Sequence, residues 1–172
     1  MTEFEYCPFY CEENIWHLCR DERLPGGPRA ALWITNERRQ VAIFEQRLAQ
    51  PGQPVGWDYH VVLVTGRGLD AQVWDLDSRL EVPTSISDYL DLSFPPVSAR
   101  FAPSFRLVPA AEYLRTFASD RRHMKDPDDG WLHDPPPWPA IGTGHVLPEY
   151  LDLTRPDPGE VLTLRQLRAR YS

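Results

Sequence analysis

Three residues of this sequence have the types needed for nucleophilic acyl transfer: Cys11, His60 and Asp75. A cysteine attacks as its thiolate, and the free N–H groups and partial positive charge of a helix N-terminus lower the pKa of a thiol. Cys11 precedes Glu12, Glu13 and an apolar stripe at helical spacing, so we expect it to open a helix. The backbone N–H groups there could also bind an oxyanion. With a histidine as base and an acid to orient it, these residues would form a catalytic triad.

The histidine and the acid are expected on neighbouring strands. His60 lies in the predicted strand Trp57–Thr65, and Asp75 lies in the predicted strand Asp70–Leu76, which returns after a glycine-containing turn. Pairing these strands places residue 60 opposite positions 73–75, where an acid would be within reach of the imidazole. Taken alone, the spacing more often belongs to a buried thiol, a hydrogen-bonded strand histidine and a turn acid, none of them catalytic.

The rest of the pattern predicts one α+β domain over residues 1–172. After the helix that begins at Cys11, Ala30–Thr35 and Gln40–Gln46 are expected to form a first hairpin. The turn-rich segment 126–139 is expected to be irregular, either as a lid or as a static cover. The later pattern predicts helices over Ser85–Leu92, Ala110–Ala118 and Thr163–Tyr171, and a strand over Phe105–Val108.

Composition narrows the class of protein. The 172 residues are 42% hydrophobic and 25% charged, as in soluble globular proteins, and the net charge of −7 disfavours nucleic acid or an anionic membrane as a partner. No apolar segment approaches the roughly 20 residues that span a bilayer, and the acidic N-terminus does not resemble a secretory signal. The three cysteines make a poor disulfide framework. We therefore expect a cytoplasmic monomer with reduced thiols that needs neither a metal nor an organic cofactor.

Several sequence words resemble the protein N-terminal glutamine amidohydrolase family, and together they run from about Tyr6 to Tyr171. One departure is Arg122, where the family leads us to expect serine. The words are CEENIW at Cys11–Trp16, TNER at Thr35–Arg38, WDYHVVL at Trp57–Leu63, DLD at Asp75–Asp77 and FASDRRHMKD at Phe117–Asp126, with PPPWP at 135–139 and a TL-x-x-L ending.

The resemblance implies a papain- or transglutaminase-like α+β fold, in which an N-terminal catalytic helix packs on an antiparallel sheet. It implies that Cys11 is the nucleophile, His60 the base and Asp75 the acid. The family removes ammonia from the N-terminal glutamine of proteins or peptides and leaves glutamate, a step that feeds N-degron proteolysis in eukaryotes. Two rival functions would keep the same residues: another acyl-transfer enzyme, such as a cysteine peptidase or transglutaminase, or a catalytically silent module that only binds N-terminal glutamine.

A free α-ammonium distinguishes an N-terminal glutamine from an internal one, and a carboxylate can bind it. Asp120 is the preferred candidate, because it lies in the FASDRRHMKD word without an evident helical role. Glu12, Glu13 and Asp58 are the other candidates. The alternatives are helix-dipole or surface roles for Glu12 and Glu13, and a turn cap for Asp120.

Gln46 and Trp57 complete the predicted pocket. The Gln46 amide could donate to the oxyanion or simply end a strand in solvent, and Trp57 could wall the pocket or pack in the core. His123 and His133 are expected at the surface. A weaker alternative is a zinc site, disfavoured by irregular cysteine spacing, with the ligands Cys7, Cys11, His17 and Cys19.

Overall fold

The computed structural model describes residues 4–128 and 130–172. In chain order, the helices and strands are α1 (Cys11–Cys19), β1 (Arg29–Thr35), β2 (Val41–Ile43), β3 (Val55–Trp57), β4 (His60–Thr65), β5 (Gln72–Trp74), β6 (Thr84–Ser85), α2 (Ile86–Ser93), β7 (Ser104–Pro109), α3 (Ala110–Thr116), α4 (Leu147–Leu151), β8 (Glu160–Thr163) and α5 (Leu164–Arg170). Six strands form an antiparallel sheet in the order β6-β5-β4-β1-β7-β8, and β2 pairs with β3 separately. Within the described residues, none of the helices has the length and apolar character needed to cross a membrane.

The two central strands, β1 and β4, are covered on both faces of the sheet. Successive side chains of a strand point to opposite faces, so one strand contributes to two layers of core. Trp33 and Val61 pack on one face with residues of α1, α3 and α4. Leu32 and Val62 pack on the other face with residues of α2, α5 and β2. This arrangement confirms the predicted α+β class with an antiparallel sheet.

Most of the predicted elements are present. The helix that begins at Cys11, the strand within Ala30–Thr35 and the strand around Phe105–Val108 are confirmed as α1, β1 and β7. Two of the predicted later helices have side-chain caps. Ser85 accepts a hydrogen bond from the Asp88 backbone at the start of α2, and Thr163 and Gln166 form a capping box at the start of α5.

The predicted first hairpin is wrong. Gln40–Gln46 was expected to pair with β1, but β2 pairs with β3, and β1 lies between β4 and β7. Asn36 explains the departure, because its side chain ties down the turn after β1. Its amide accepts from the backbone N–H groups of Arg38 and Gln40, and it donates to the carbonyls of Gln40 and Arg100. The chain is thereby led away from the sheet.

The predicted second hairpin is present with a different register. The strand Trp57–Thr65 is interrupted at Asp58, whose carbonyl accepts from the Thr35 hydroxyl, so that Trp57 ends β3 and His60 begins β4. Leu63 pairs with Trp74 and Thr65 with Gln72. Continuing this register sets position 60 opposite 77, not opposite 73–75. Asp75 is therefore not in the ladder: it follows the last residue of β5.

Candidate functional site

Cys11 is the first residue of α1, and its side chain is buried against the start of β4. The backbone N–H of Val61 is close enough to the sulfur to act against the raised pKa of the thiol, so the sulfur lies against the peptide that joins His60 to Val61. The thiol also lies 3.6 Å from Oε2 of Glu12. Because α1 packs on β4 through the core, the nucleophile candidate is fixed beside the histidine candidate.

His60 and Asp75 form a buried hydrogen bond, with 2.9 Å between Nε2 and Oδ1. Oδ1 also accepts from the backbone N–H of Asp77, at 3.0 Å. Oδ2 accepts from the Gln46 amide at 2.8 Å and from the Tyr89 hydroxyl at 2.9 Å. The carboxylate is thus held from several directions, and it fixes the imidazole in turn.

The second ring nitrogen of His60 is available for chemistry. Nδ1 is buried and makes no hydrogen bond within the described part of the chain. Trp57 stacks on the imidazole, with ring centroids 5.2 Å apart and planes inclined by 16°. The ring is therefore held by Asp75 at one nitrogen and by Trp57 on one face, which leaves Nδ1 to exchange a proton with a neighbouring group.

Each member of the His60–Asp75 pair favours the charged form of the other. Burial by itself lowers the pKa of His60, but the carboxylates of Asp75, Asp77 and Glu12, of which Asp75 contributes most, together outweigh burial and raise the net pKa above the ordinary histidine value. Burial by itself raises the pKa of Asp75, but the imidazole and the Gln46 amide outweigh it, so the net pKa lies below the ordinary value. The pair therefore favours imidazolium and carboxylate together.

The pKa of Cys11 departs from our expectation. Burial, and then the Glu12 and Asp77 carboxylates, raise this pKa well above the ordinary thiol value. The net pKa is therefore raised, contrary to the expected lowering, because desolvation and the two carboxylates outweigh the backbone N–H of Val61, which acts to lower it. A thiolate at Cys11 therefore requires transfer of the proton to a base.

One group of side chains could hold a metal ion. Single donor atoms of His60, Asp75 and Asp77 lie within 4.8 Å of one another. However, His60 and Asp75 already share a hydrogen bond, and the Asp77 carboxylate accepts from the Tyr6 hydroxyl. Each of these three side chains thus already has a hydrogen-bond partner within the protein.

The structure separates the carboxylates that sequence reasoning grouped together. The Asp120 side chain is 39% exposed and forms a salt bridge with Arg122. Glu13 is fully buried, but both its oxygens accept from the Arg121 guanidinium at 2.8 Å. Asp58 is exposed, and its carboxylate accepts from the next backbone N–H. Glu12 alone of these four is buried without an arginine or lysine bridge in the described chain.

A cavity of about 280 Å³ opens beside Cys11. Trp57 lines it, as expected of a pocket wall, and so does Asp58. The Gln46 amide nitrogen donates to Asp75, so it holds the candidate acid and is not free to donate to an oxyanion. Sequence reasoning did not anticipate the other lining residues, Phe9, Tyr59, His123, Met124, Leu132, His133, Leu147 and Leu151.

The two histidines expected at the surface both line this cavity. The side chain of His123 is 17% exposed, with Nε2 3.3 Å from Oε1 of Glu12. Its ring stacks on His145, with centroids 5.2 Å apart. His133 is exposed, as expected, and stacks on Phe9 at 3.6 Å between centroids. The available signal for His123 was its place in the FASDRRHMKD word, near the preferred carboxylate candidate.

The irregular segment 126–139 is fastened to the region around α1. The Tyr10 hydroxyl donates to the His133 carbonyl at 3.0 Å, and the Cys7 thiol lies 3.7 Å from the Asp134 carbonyl. The Trp138 indole donates to Glu13 at 2.8 Å. These contacts favour the static cover over the lid. The three cysteines are free, and Cys7 and Cys19 lie in different core clusters, which argues against the zinc alternative.

Known proteins are similar in sequence to this chain over nearly its whole length. A family model described as N-terminal glutamine amidase matches residues 6–171. A human protein named Protein N-terminal glutamine amidohydrolase is 38% identical over 96% of this chain and 87% of its own length. Proteins of the same name from Arabidopsis thaliana and Drosophila melanogaster are 36% and 35% identical, over 91% and 96% of this chain and 78% and 87% of their own lengths.

Proposed function

The chain belongs to the N-terminal glutamine amidase family, and on that basis we propose that it removes ammonia from the side chain of an N-terminal glutamine in proteins or peptides, leaving glutamate. The observation that carries the proposal is the buried His60–Asp75 hydrogen bond, which leaves Nδ1 of His60 without a partner among the described residues, at the start of the strand on which α1 and Cys11 pack. A nucleophile, a base and an orienting acid are the groups that hydrolysis of a carboxamide requires.

The first half-reaction forms a thioester and releases ammonia. The Cys11 proton passes to Nδ1 of His60 as the sulfur attacks the carboxamide carbon, and negative charge develops on the amide oxygen. Backbone N–H groups at the start of α1 stabilise that oxyanion. The imidazolium then gives its proton to the leaving nitrogen as the C–N bond breaks. Asp75 keeps the imidazole oriented throughout, through Nε2.

The second half-reaction restores the thiol. His60 takes a proton from water, whose oxygen attacks the thioester carbon, and the glutamate side chain departs as the C–S bond breaks. The sulfur recovers its proton from His60. Because the pKa values of both Cys11 and His60 are raised, the reactive form is the one that has lost a single proton from this pair.

The architecture supports a papain- or transglutaminase-like fold for this domain. In that arrangement, a helix carrying the cysteine packs on an antiparallel sheet that carries the histidine, as α1 and β4 do here. One domain over residues 1–172 is also part of the proposal, since both core clusters share the strands of a single sheet. A cysteine peptidase or a transglutaminase would use the same groups, and the reaction products separate these functions.

The test compares three peptides that differ only at the first residue: glutamine, asparagine and acetylated glutamine. Release of ammonia and the mass change of amide-to-acid conversion are followed. We expect turnover of the free glutamine peptide, loss of turnover in Cys11→Ala and retention of turnover in Cys19→Ala, a matched change of a buried thiol in the same helix. Peptide cleavage or cross-linking would point to the rival enzymes. Binding without turnover would point to the silent module.

A further inference from the structure

Glu12 is a buried carboxylate with an unsatisfied oxygen. Its side chain is fully buried, and Oε1 makes no hydrogen bond within the described residues. Nε2 of His123 lies 3.3 Å from Oε1. Oε2 lies 3.6 Å from the weak thiol donor of Cys11, and the Tyr59 hydroxyl also lies against this carboxylate. Glu13, its neighbour in α1, is by contrast saturated by Arg121 and Trp138.

Burying a carboxylate without a positively charged partner costs free energy. The position of such a carboxylate in the fold therefore indicates where the protein binds a cation. Glu12 directly follows Cys11, and Tyr59 and His123, which line the cavity beside the thiol, also lie against its carboxylate. After burial, the charge of Glu12 is the largest cause of the raised pKa of Tyr59. The carboxylate thus lies directly behind two residues, Tyr59 and His123, that line the cavity in which the carboxamide would meet the sulfur.

The substrate carries a cation within one side-chain length of the carboxamide carbon that Cys11 would attack. A carboxylate that receives the α-ammonium must therefore lie within about that length of the sulfur. Glu12 meets this limit, since its Oε2 is 3.6 Å from the sulfur and its Oε1 faces His123. Asp120 already pairs with Arg122 in an exposed position, and Asp58 is exposed, so neither shares these properties.

We propose that Glu12 binds the α-ammonium of the N-terminal glutamine and thereby restricts the enzyme to the first residue of a chain; this inference rests on the proposed function. The alternative is that Glu12 serves only to hold His123. In that case, replacing Glu12 would affect substrates with and without an α-amine alike, because the imidazole contacts the carboxylate in both complexes.

The decisive comparison uses two peptides, one beginning with glutamine and one in which the first residue lacks only the α-amino group. We expect Glu12→Gln to lower kcat/KM for the first peptide by about 100-fold and to change kcat/KM for the second by less than about threefold, because a buried charge pair is lost with only one of them. Asp120→Asn is the matched control and should leave the ratio of the two kcat/KM values unchanged, because Asp120 is paired with Arg122 outside the cavity. The proposal would be overturned if Glu12→Gln lowered kcat/KM equally for both peptides. It would also be overturned if Asp120→Asn abolished the preference for the peptide with the free α-amine.

A second variant and a second readout keep the test decisive if Glu12→Gln fails to fold or if turnover is absent. Glu12→Asp retains the charge and should retain the preference for the free amine, and loss of that preference would contradict the proposal. Protection of Cys11 from iodoacetamide by the glutamine peptide measures binding without turnover. If the peptide protects Cys11 in the unaltered protein but not in Glu12→Gln, the role of Glu12 in binding is supported, even if no ammonia is released. Absence of ammonia release would then refute the proposed function but not the role of Glu12. Equal protection in both proteins would refute the role of Glu12.

Discussion

Asp75 is the residue on which the geometry of the candidate site depends. Its two oxygens accept from His60, Asp77, Gln46 and Tyr89, so the carboxylate has little freedom to rotate. A carboxylate held in this way both selects the tautomer of the histidine and favours its cation. Asp75 is therefore central to the geometry of the candidate site, although it lies outside the paired residues of β5.

We expect Asp75→Asn to lower kcat/KM for the glutamine peptide by about 1,000-fold, because an amide no longer enforces the productive tautomer of His60. The pH dependence should change as well. In the wild type, kcat/KM should rise with pH to a midpoint above about 6.5, since the carboxylate raises the pKa of His60. In the variant, the midpoint should fall, because the largest cause of the raised pKa is gone. Profiles measured on one peptide test this, with Asp70→Asn as an exposed control; an unmoved midpoint would contradict it.

Tyr89→Phe removes one donor to Asp75 without opening a large cavity. We expect the free energy of unfolding to fall by about 1–2 kcal/mol, because a buried acceptor loses a partner, and kcat/KM to fall several-fold. Tyr150→Phe is the matched control, since that buried hydroxyl bonds to Thr116, away from the candidate triad. Urea unfolding and peptide turnover should show a stability loss in both variants and an activity loss in Tyr89→Phe only. An equal activity loss in both would remove the special role of Tyr89.

At the scale of elements, sequence reasoning recovered what local patterns encode. The stripe after Cys11 and the β-branched run of β4 identified the two elements that carry the nucleophile and base candidates. Strand pairing was not recoverable, because the Asn36 turn directs the chain through contacts with a distant carbonyl at Arg100. The proximity of His60 and Asp75 was predicted through a register that the structure does not have: Asp75 reaches the imidazole from beyond the end of β5.

The preference for Asp120 over Glu12 illustrates a second limit of sequence reasoning. Both are acids near the expected site, and spacing cannot distinguish an acid with a salt-bridge partner from one without. That distinction depends on Arg122 and Arg121, which are adjacent in the chain but bind Asp120 and Glu13, respectively. Which carboxylate remains uncompensated is decided only when distant segments pack together.

The contacts that the Glu13 carboxylate of α1 makes with Arg121 and Trp138 should contribute strongly to the free energy of unfolding. Arg121→Met leaves Glu13 buried without its cation, and we expect a loss of about 3–5 kcal/mol in the free energy of unfolding. Trp138→Phe removes a single hydrogen bond to the same carboxylate and should cost about 1–2 kcal/mol. Urea unfolding of the two variants checks this order. A smaller loss for Arg121→Met than for Trp138→Phe would be inconsistent with a buried ion pair.

At the scale of the whole molecule, the His60–Asp75 pair makes stability depend on pH. The raised pKa of His60 contributes stability that is complete below about pH 6.5 and is lost as pH rises through the folded-state pKa. The lowered pKa of Asp75 contributes stability that is complete above about pH 4 and is lost as pH falls through its folded-state pKa. The difference in unfolding free energy between wild type and Asp75→Asn should therefore be largest from about pH 4 to pH 6.5. Urea titrations across pH measure it, and a difference that keeps growing above this range would show that the pair is not ionised as described.

The contacts of the segment 126–139 with Tyr10 and Glu13 also have a consequence for biosynthesis. A ribosome makes the chain from its N-terminus, so Cys11 emerges early, whereas His133 and Trp138, which cover the region around it, emerge more than a hundred residues later. His60 and Asp75 are translated in between. A nascent chain therefore carries the candidate nucleophile long before its environment exists. Because the covering segment is made late, the buried surroundings of Cys11 can form only near the end of synthesis.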